Sequence, residues 1–159
     1  MIHSTQVVER LYKEIDPKIA RNGITSRYIS DYKKHKTLHL NGKTFLIYDW
    51  DVVDMQQRLL GLKDAHILYP HPCFEIWYLL HCQNQTASLT SEECISMLKN
   101  HVSGYKKVVL DDKLKSKLVE NKGKSISRAK ALTEFCNPST NVYKLVEELD
   151  IVKNQDNQT

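Results

Sequence analysis

The sequence predicts an α/β protein, with a parallel sheet flanked by helices and a C-terminal half that is helical. Two short runs of β-branched and aromatic residues, 44–48 and 65–69, are typical of buried strands. A helical pattern over 52–60 lies between them, and Gly61 is a favoured helix stop. Strand, helix and strand in succession predict a crossover connection with parallel pairing.

A nearly all-apolar stretch, 73–82, follows the second strand after two prolines that end any preceding element. It predicts a buried helix packed on the sheet. Glu75 and His81 are its two groups suited to acid, base or metal chemistry, and both need partners because unpaired buried charges are costly. Six residues separate them, about 9 Å along a helix axis, so we do not expect them to bind one ion. For His81 we expect a hydrogen-bonded core role.

The C-terminal half shows several helical patterns. Thr90 with Glu93 predicts a capped helix, and two further amphipathic helices with basic outer faces are predicted over 110–120 and 125–135. The segment 137–141 is a turn that leads into a last helix. Two more helices are expected near the N-terminus, over 4–15 and 25–36.

Composition places the chain among ordinary globular proteins. Its 159 residues suit one domain, and no apolar run approaches the roughly 20 residues of a membrane span. No secretory leader pattern is found at the N-terminus. The four cysteines contain no C-x-x-C pair, which disfavours a structural zinc site. We therefore expect a cytoplasmic protein with reduced thiols and no membrane partner.

Positive charge is concentrated in one part of the chain. The segment 99–130 holds ten Lys or Arg against three Asp or Glu, a net +7, so the rest carries −3 of the total of +4. Such asymmetry favours a basic face that contacts phosphate backbones. A lysine-rich surface that is merely solvated is the alternative, and composition alone leaves it open.

Two carboxylates come directly after the first predicted strand. Asp49 and Asp51 flank one residue, and in an extended segment such positions point to the same side. Ligands of open α/β sheets bind at the carboxyl ends of strands, and paired carboxylates can hold a hard cation such as Mg²⁺. The alternative is that one aspartate caps the next helix while the other faces solvent.

Several strings occur in a fixed order along the chain, and together they carry a resemblance. They are 46–51 (LIYDWD), 72–81 (PCFEIWYLLH), 104–106 (GYK), 128–130 (RAK) and 137–149 (NPSTNVYKLVEEL). In this order they resemble the RloB-like family, whose members are associated with bacterial restriction and abortive-infection loci. The resemblance covers about 45–149.

The resemblance implies a Toprim-like parallel sheet and a role in antiviral (antiphage) defence, with Mg-dependent cleavage of phosphodiester bonds in nucleic acid. It implies Asp49, Asp51 and Glu75 as catalytic carboxylates, with Mg (or Mn) held by the two aspartates. Lys106 and Arg128 match positions suited to binding phosphate.

We expect structural or supporting roles for His81 and Asn137. The length suits one domain over 1–152, with a divergent part over 1–44, and the Asn- and Gln-rich residues 153–159 are expected to form a flexible tail.

One motif of Toprim proteins is not found in this sequence. They open with a strand, a glycine-rich turn and a glutamate, and no E-G-x-x-T-E-like string occurs in 1–44. The alternative function is therefore a degenerate, non-catalytic Toprim-like module that binds nucleic acid, a nucleotide or a protein of a defence system, or that acts as a mobile-element inhibitor. Nucleic acid is the expected partner. An oligomer, and the choice between DNA and RNA, are left open.

Overall fold

The structure is a computed structural model that describes residues 43–48, 50, 60–63, 65–107 and 110–156, together with 27, 30, 31 and 34. For 152–156 it describes the backbone alone. The helix expected over 4–15, all but the last residue of the one over 52–60, most of the one over 25–36, and the positions of Asp49 and Asp51 lie outside these residues.

A small parallel sheet is confirmed. Its strands are β1, Phe45–Ile47, and β2, His66–Leu68, and each lies within one or two residues of its predicted bounds. They pair in parallel, with Leu46 opposite Ile67. Parallel neighbours need a crossover connection, which agrees with the long interval between the strands. The described part of the chain is thus mixed α/β, as predicted.

Helices make up most of the rest of the described chain, and their ends follow local signals. The Thr90 hydroxyl accepts a hydrogen bond from Glu93 N, and the Glu93 carboxylate accepts one from Thr90 N, so the predicted capping box is confirmed. Asp111 caps another helix by accepting from Leu114 N at 2.8 Å. The helices are α1, Glu75–Cys82; α2, Ser91–His101; α3, Asp112–Glu120; α4, Lys122–Lys130; and α5, Tyr143–Asp156.

Helix α1 is the centre of the helical half. It packs against α2, α3 and α4, so its main described contacts are with helices. The sequence predicted packing on the sheet, and these contacts differ from that prediction. A helix that is apolar on all sides needs partners on all sides, and the surrounding helices cover more of it than a two-stranded sheet could. The core here is formed by Trp77, Tyr78, Leu80, Leu98, Val102, Tyr105, Leu114, Ala129 and Val142.

Two helix boundaries differ from their predicted positions. Helix α4 spans Lys122–Lys130 instead of 125–135, because Asn121 ends α3 and begins α4 without an intervening loop. Helix α5 continues to Asp156, into the segment expected to form the tail. None of the described helices is long and apolar enough to cross a bilayer.

Candidate functional site

The segments that follow β1 and β2 run side by side beyond the sheet. Tyr48 N donates to Leu68 O at 3.0 Å, and Trp50 N donates to Pro70 O at 2.9 Å. Both segments leave the carboxyl ends of parallel strands, where open α/β sheets place their ligands. Asp49 and Asp51 are the sequence neighbours of Trp50, and because both lie outside the described residues, their convergence there stays a prediction.

An aromatic cluster occupies this end of the sheet. The rings of Trp50 and Tyr69 are buried with centroids 5.4 Å apart, and Phe135 lies 5.1 Å from Trp50 and stacks on Tyr69 at 4.4 Å. Phe135 is 42% exposed and has a φ of 62°. The left-handed region is rare and strained for a bulky residue. The fold therefore holds an exposed aromatic ring at the strand ends against the preference of its backbone.

A polar cavity of about 110 Å³ adjoins this cluster. Tyr69 and Ser139 line it, and their hydroxyl oxygens are buried without a hydrogen-bond partner among the described residues. Burial, and next the neighbouring carboxylate of Glu134, raise the pKa of Tyr69. That hydroxyl, and next the ammonium of Lys144, lower the pKa of Glu134. The hydroxyl and the carboxylate are thus close, but they fall outside hydrogen-bond geometry.

The charges around the cavity are balanced. Lys130 Nζ lies 2.6 Å from Glu147 Oε1 and 5.3 Å from the centroid of the Tyr143 ring. Lys144 Nζ lies 3.3 Å from Glu134 Oε1. Each cation is therefore offset by a carboxylate, and the cavity has no strong preference for an anion.

The loop 137–141 builds one wall of the cavity and is attached to β2. The backbones of His71 and Ser139 exchange hydrogen bonds of 2.8 and 3.0 Å. Asn141 accepts from Tyr69 N through Oδ1 and donates to Ile67 O through Nδ2, both at 2.8 Å. These bonds fix Ser139 beside Tyr69.

Asn137 anchors the other end of this loop. Its Nδ2 donates to Leu89 O at 2.8 Å, and its Oδ1 accepts from Leu89 N at 3.2 Å. The side chain thus joins the loop to the segment before α2. This geometry suits the structural role expected for Asn137.

Glu75 lies in the helical core and not in the cavity. Its side chain is buried, Tyr105 Oη donates to its Oε1 at 3.2 Å, and Lys107 Nζ is 3.9 Å from the same oxygen. Burial, and next the charge of this carboxylate, raise the pKa of Tyr105. Within the described residues, no three His, Cys, Asp or Glu side chains come together as a metal site.

His81 is buried, and both ring nitrogens have partners. Nδ1 lies 2.8 Å from Trp77 O and must carry the proton, because a carbonyl can only accept. Nε2 lies 3.0 Å from Ser125 Oγ, which is also 2.8 Å from Lys122 O. Burial, and to a lesser extent the charge of Arg128, lower the pKa of His81 to about 4, against an opposing hydrogen bond to Trp77 O. His81 is therefore neutral at pH 7 and joins α1 to α4.

Of the two expected phosphate-binding side chains, one is partly engaged and one is open. Arg128 is half-buried and donates from Nη1 to Leu80 O at 2.6 Å. Lys106 is exposed and forms no ion pair with a described residue. The same is true of Lys113 on α3 and Lys124 on α4, whereas Lys122 pairs with Asp150. We call Lys106, Lys113 and Lys124 the open lysines.

The site residues that the sequence did not single out are Tyr69, Phe135, Ser139 and Asn141. The signal that was present is the string 137–141, in which polar side chains surround a proline. It predicted a turn, but it did not reveal which of these side chains face β2 and which face the cavity.

The fold and the site together define a class: a mixed α/β protein in which an aromatic and polar site lies at the carboxyl ends of a parallel strand pair. The model of the RloB-like protein family matches residues 2–149, and the chain belongs to this family. The match confirms the resemblance and extends it over most of 1–44. Searches of the curated proteins and of the solved structures found no match.

Proposed function

We propose that the protein acts on nucleic acid in antiphage defence and cleaves phosphodiester bonds with Mg²⁺ or Mn²⁺ held by Asp49 and Asp51. The observation that supports this is the pairing of the segments after β1 and β2, through Trp50 N and Pro70 O at 2.9 Å. It makes the strand ends one continuous surface, and the sequence places an aspartate on either side of Trp50.

The donor chemistry of the two aspartates fits such a cation, because Mg²⁺ prefers carboxylate oxygens and waters as ligands. When bound, the ion would stabilise the negative charge that gathers on the attacked phosphate. Glu75 is poorly suited to bind the metal ion directly, since its carboxylate accepts a hydrogen bond from Tyr105 and faces the ammonium of Lys107. In this proposal its contribution is to the shape of the helical core that carries the basic surface.

The open lysines would hold the phosphate backbone. Lys106, Lys113 and Lys124 are exposed and unpaired within the described residues, so no described carboxylate competes with a phosphate for them. Contacts of this kind position a nucleic acid without reading its sequence. Arg128 already donates one hydrogen bond to Leu80 O, so we expect it to contribute less to phosphate binding than the open lysines.

A non-catalytic module that binds nucleic acid, a nucleotide or a defence protein is the second candidate. The observation that favours it is the engagement of Glu75 inside the core, which leaves the metal site with two aspartates from the sequence. The absence of the glutamate string in 1–44 points the same way. A module that binds nucleic acid would use the same open lysines and would differ from the first candidate in cleavage alone.

A cleavage assay separates the candidates. Wild type and Asp49→Ala/Asp51→Ala are incubated with single- and double-stranded DNA and RNA, with Mg²⁺, Mn²⁺ or a chelator. We expect metal-dependent cutting that the double variant loses by at least a hundred-fold. The control is Glu92→Ala, which removes an exposed carboxylate from the first turn of α2. Binding without cutting by wild type selects the module, and equal cutting by wild type and the double variant removes the metal proposal.

Binding to the open lysines is tested by the dependence of affinity on salt. Each lost phosphate contact on a single strand lowers the slope of log K against log salt by about 0.7. We expect this for Lys113→Gln and for Lys124→Gln, and for their combination roughly twice the change. Lys99→Gln on α2 carries the same change of charge and serves as the control. Equal slopes in all variants would place the contact elsewhere.

A further inference from the structure

Two kinds of strain meet at the strand ends, and the helical core shows neither. Phe135 is exposed and held at a φ of 62°. Tyr69 and Ser139 bury hydroxyl groups that have no hydrogen-bond partner among the described residues. Tyr69 connects the two, because its ring stacks on Phe135 and the residue lines the cavity.

Neither feature is explained by a stabilising contact among the described residues. Burying a polar group without a partner is unfavourable, and most buried hydroxyl groups are satisfied. A left-handed backbone at a bulky residue is also unfavourable, and such outliers concentrate at ligand sites. Ser139 is 2% exposed and Tyr69 is 4% exposed, so these are built features of the interior and not surface accidents.

The chemistry of the site selects the kind of ligand. A ligand with a flat ring could stack on the exposed part of Phe135, and acceptor atoms on the same ligand could receive hydrogen bonds from the two hydroxyl groups. Glu134 lines the cavity as well, and its carboxylate disfavours a phosphate and accepts from N–H or O–H groups. The cavity has room for several waters or for one small polar group.

We propose that Phe135 and the adjoining cavity form a subsite for one nucleoside unit, with the base against Phe135 and its polar edge or the sugar hydroxyls meeting Tyr69, Ser139 and Glu134. The subsite rests on the proposed action on nucleic acid, and it specifies the form of the substrate, a nucleic acid with an unstacked base. A base can reach an aromatic side chain only when it is unstacked, as in a single strand or an extruded nucleotide. The phosphates stay outside the cavity, because Lys130 and Lys144 are each paired with a carboxylate.

The test compares a fluorescent single-stranded oligonucleotide with an abasic strand that has the same length and phosphates, using anisotropy. AMP is a third probe, which distinguishes a free nucleotide from a polymer. Phe135→Leu keeps the apolar bulk but loses the aromatic face, and we expect it to weaken binding of the base-containing strand about ten-fold. The abasic strand should bind wild type and this variant equally. Phe135→Trp restores an aromatic face and should retain the affinity.

Ser139→Ala and Tyr69→Phe supply the second readout. We expect each variant to bind the base-containing strand several-fold more weakly, while the melting temperature of the protein stays the same or rises, because each variant lacks an unpartnered hydroxyl group. A purely structural role predicts the reverse, with melting lowered and binding unchanged, and that result overturns the proposal.

The outcomes separate this proposal from the one on which it rests. Equal binding of both strands by wild type and Phe135→Leu overturns the subsite and leaves the open lysines in place. Saturable AMP binding that Phe135→Leu loses, with no binding of either strand, supports the subsite as one for free nucleotides and removes the action on nucleic acid. Binding of none of the probes overturns both.

Discussion

Around α1 the buried polar side chains Glu75 and His81 have hydrogen-bond partners, whereas at the strand ends Tyr69 and Ser139 bury hydroxyl groups that have none among the described residues. The backbone shows the same contrast. Helices α2 and α3 are capped by side chains, but Phe135 is held in the left-handed region.

This contrast indicates which part of the fold has been shaped by demands other than stability. A satisfied buried network specifies and rigidifies a core. An unsatisfied one is a cost that natural proteins accept mainly at functional sites. On this basis we expect the titratable groups of α1 to be structural, although the sequence marks them as the chemical centre, and we propose that the function lies at the strand ends.

The largest expected effect is on the network of α1. Glu75→Ala should lower the free energy of unfolding by about 3 kcal/mol, since it opens a cavity and leaves the Tyr105 hydroxyl without its acceptor. Glu75→Gln keeps an acceptor and the volume, so we expect a smaller loss, about 1 kcal/mol. Urea unfolding measures both. A neutral or stabilising Glu75→Ala would show that this carboxylate is itself a strained functional group, and the comparison would fail.

Asn141 gives the next largest effect and tests how the loop holds the site. Asn141→Ala removes hydrogen bonds to Tyr69 N and Ile67 O, and we expect a loss of about 2 kcal/mol in unfolding free energy. Asn141→Asp keeps the acceptor for Tyr69 N but sets a charge against a carbonyl, so it should not rescue the stability. Rescue by the aspartate would show that Ile67 O does not need this donor.

His81 predicts a pH dependence of stability. Its pKa is about 4 in the folded chain, below the ordinary 6.5, so the folded state takes up its proton later than the unfolded state. The stabilisation that neutral His81 contributes is complete above pH 6.5 and is lost as the pH falls towards 4. The loss reaches about 1 kcal/mol at about pH 5.5. Urea titrations at neutral and acid pH measure it. His81→Gln should remove this loss of about 1 kcal/mol between neutral pH and about pH 5.5, and an unchanged loss would assign the pH dependence to other groups.

The smallest expected effect on the unfolding free energy is that of removing the hydroxyl groups at the strand ends. Tyr69→Phe and Ser139→Ala should leave the unfolding free energy unchanged or raise it by up to about 1 kcal/mol. Thermal melting of the free protein is sufficient to measure this. A loss above about 1 kcal/mol in either variant would mean that the hydroxyl has a stabilising partner, and the contrast with α1 would disappear.

The parts of the fold that follow from local signals were predictable from the sequence. Both strands lie within one or two residues of their predicted bounds, because runs of β-branched and aromatic residues between turn signals indicate them. The capping box at Thr90 was predicted from two side chains three residues apart. The family was also predictable, since its strings keep their order.

Features that depend on distant partners were not predictable. Helix α4 packs on α1, where Ser125 contacts His81, and its end at Lys130 lies five residues before the end that its own pattern predicted. The φ of Phe135 has no signal in a single sequence. Asn141 bonds a residue 74 positions away, so its amide could only be assigned to the turn. The candidate site is built mainly from such partners.

The amide of Asn141 has one further consequence. Leu68 O and His66 N bond the β1 side, while Ile67 O and Tyr69 N face away from it and bond Asn141. With one acceptor and one donor, the amide imitates a neighbouring backbone, so this side chain replaces an adjacent strand at two residues. A further strand, from this chain or a second copy, could not pair there without displacing it. Asn141→Ala should therefore leave an unprotected sheet border, a known route to intermolecular association.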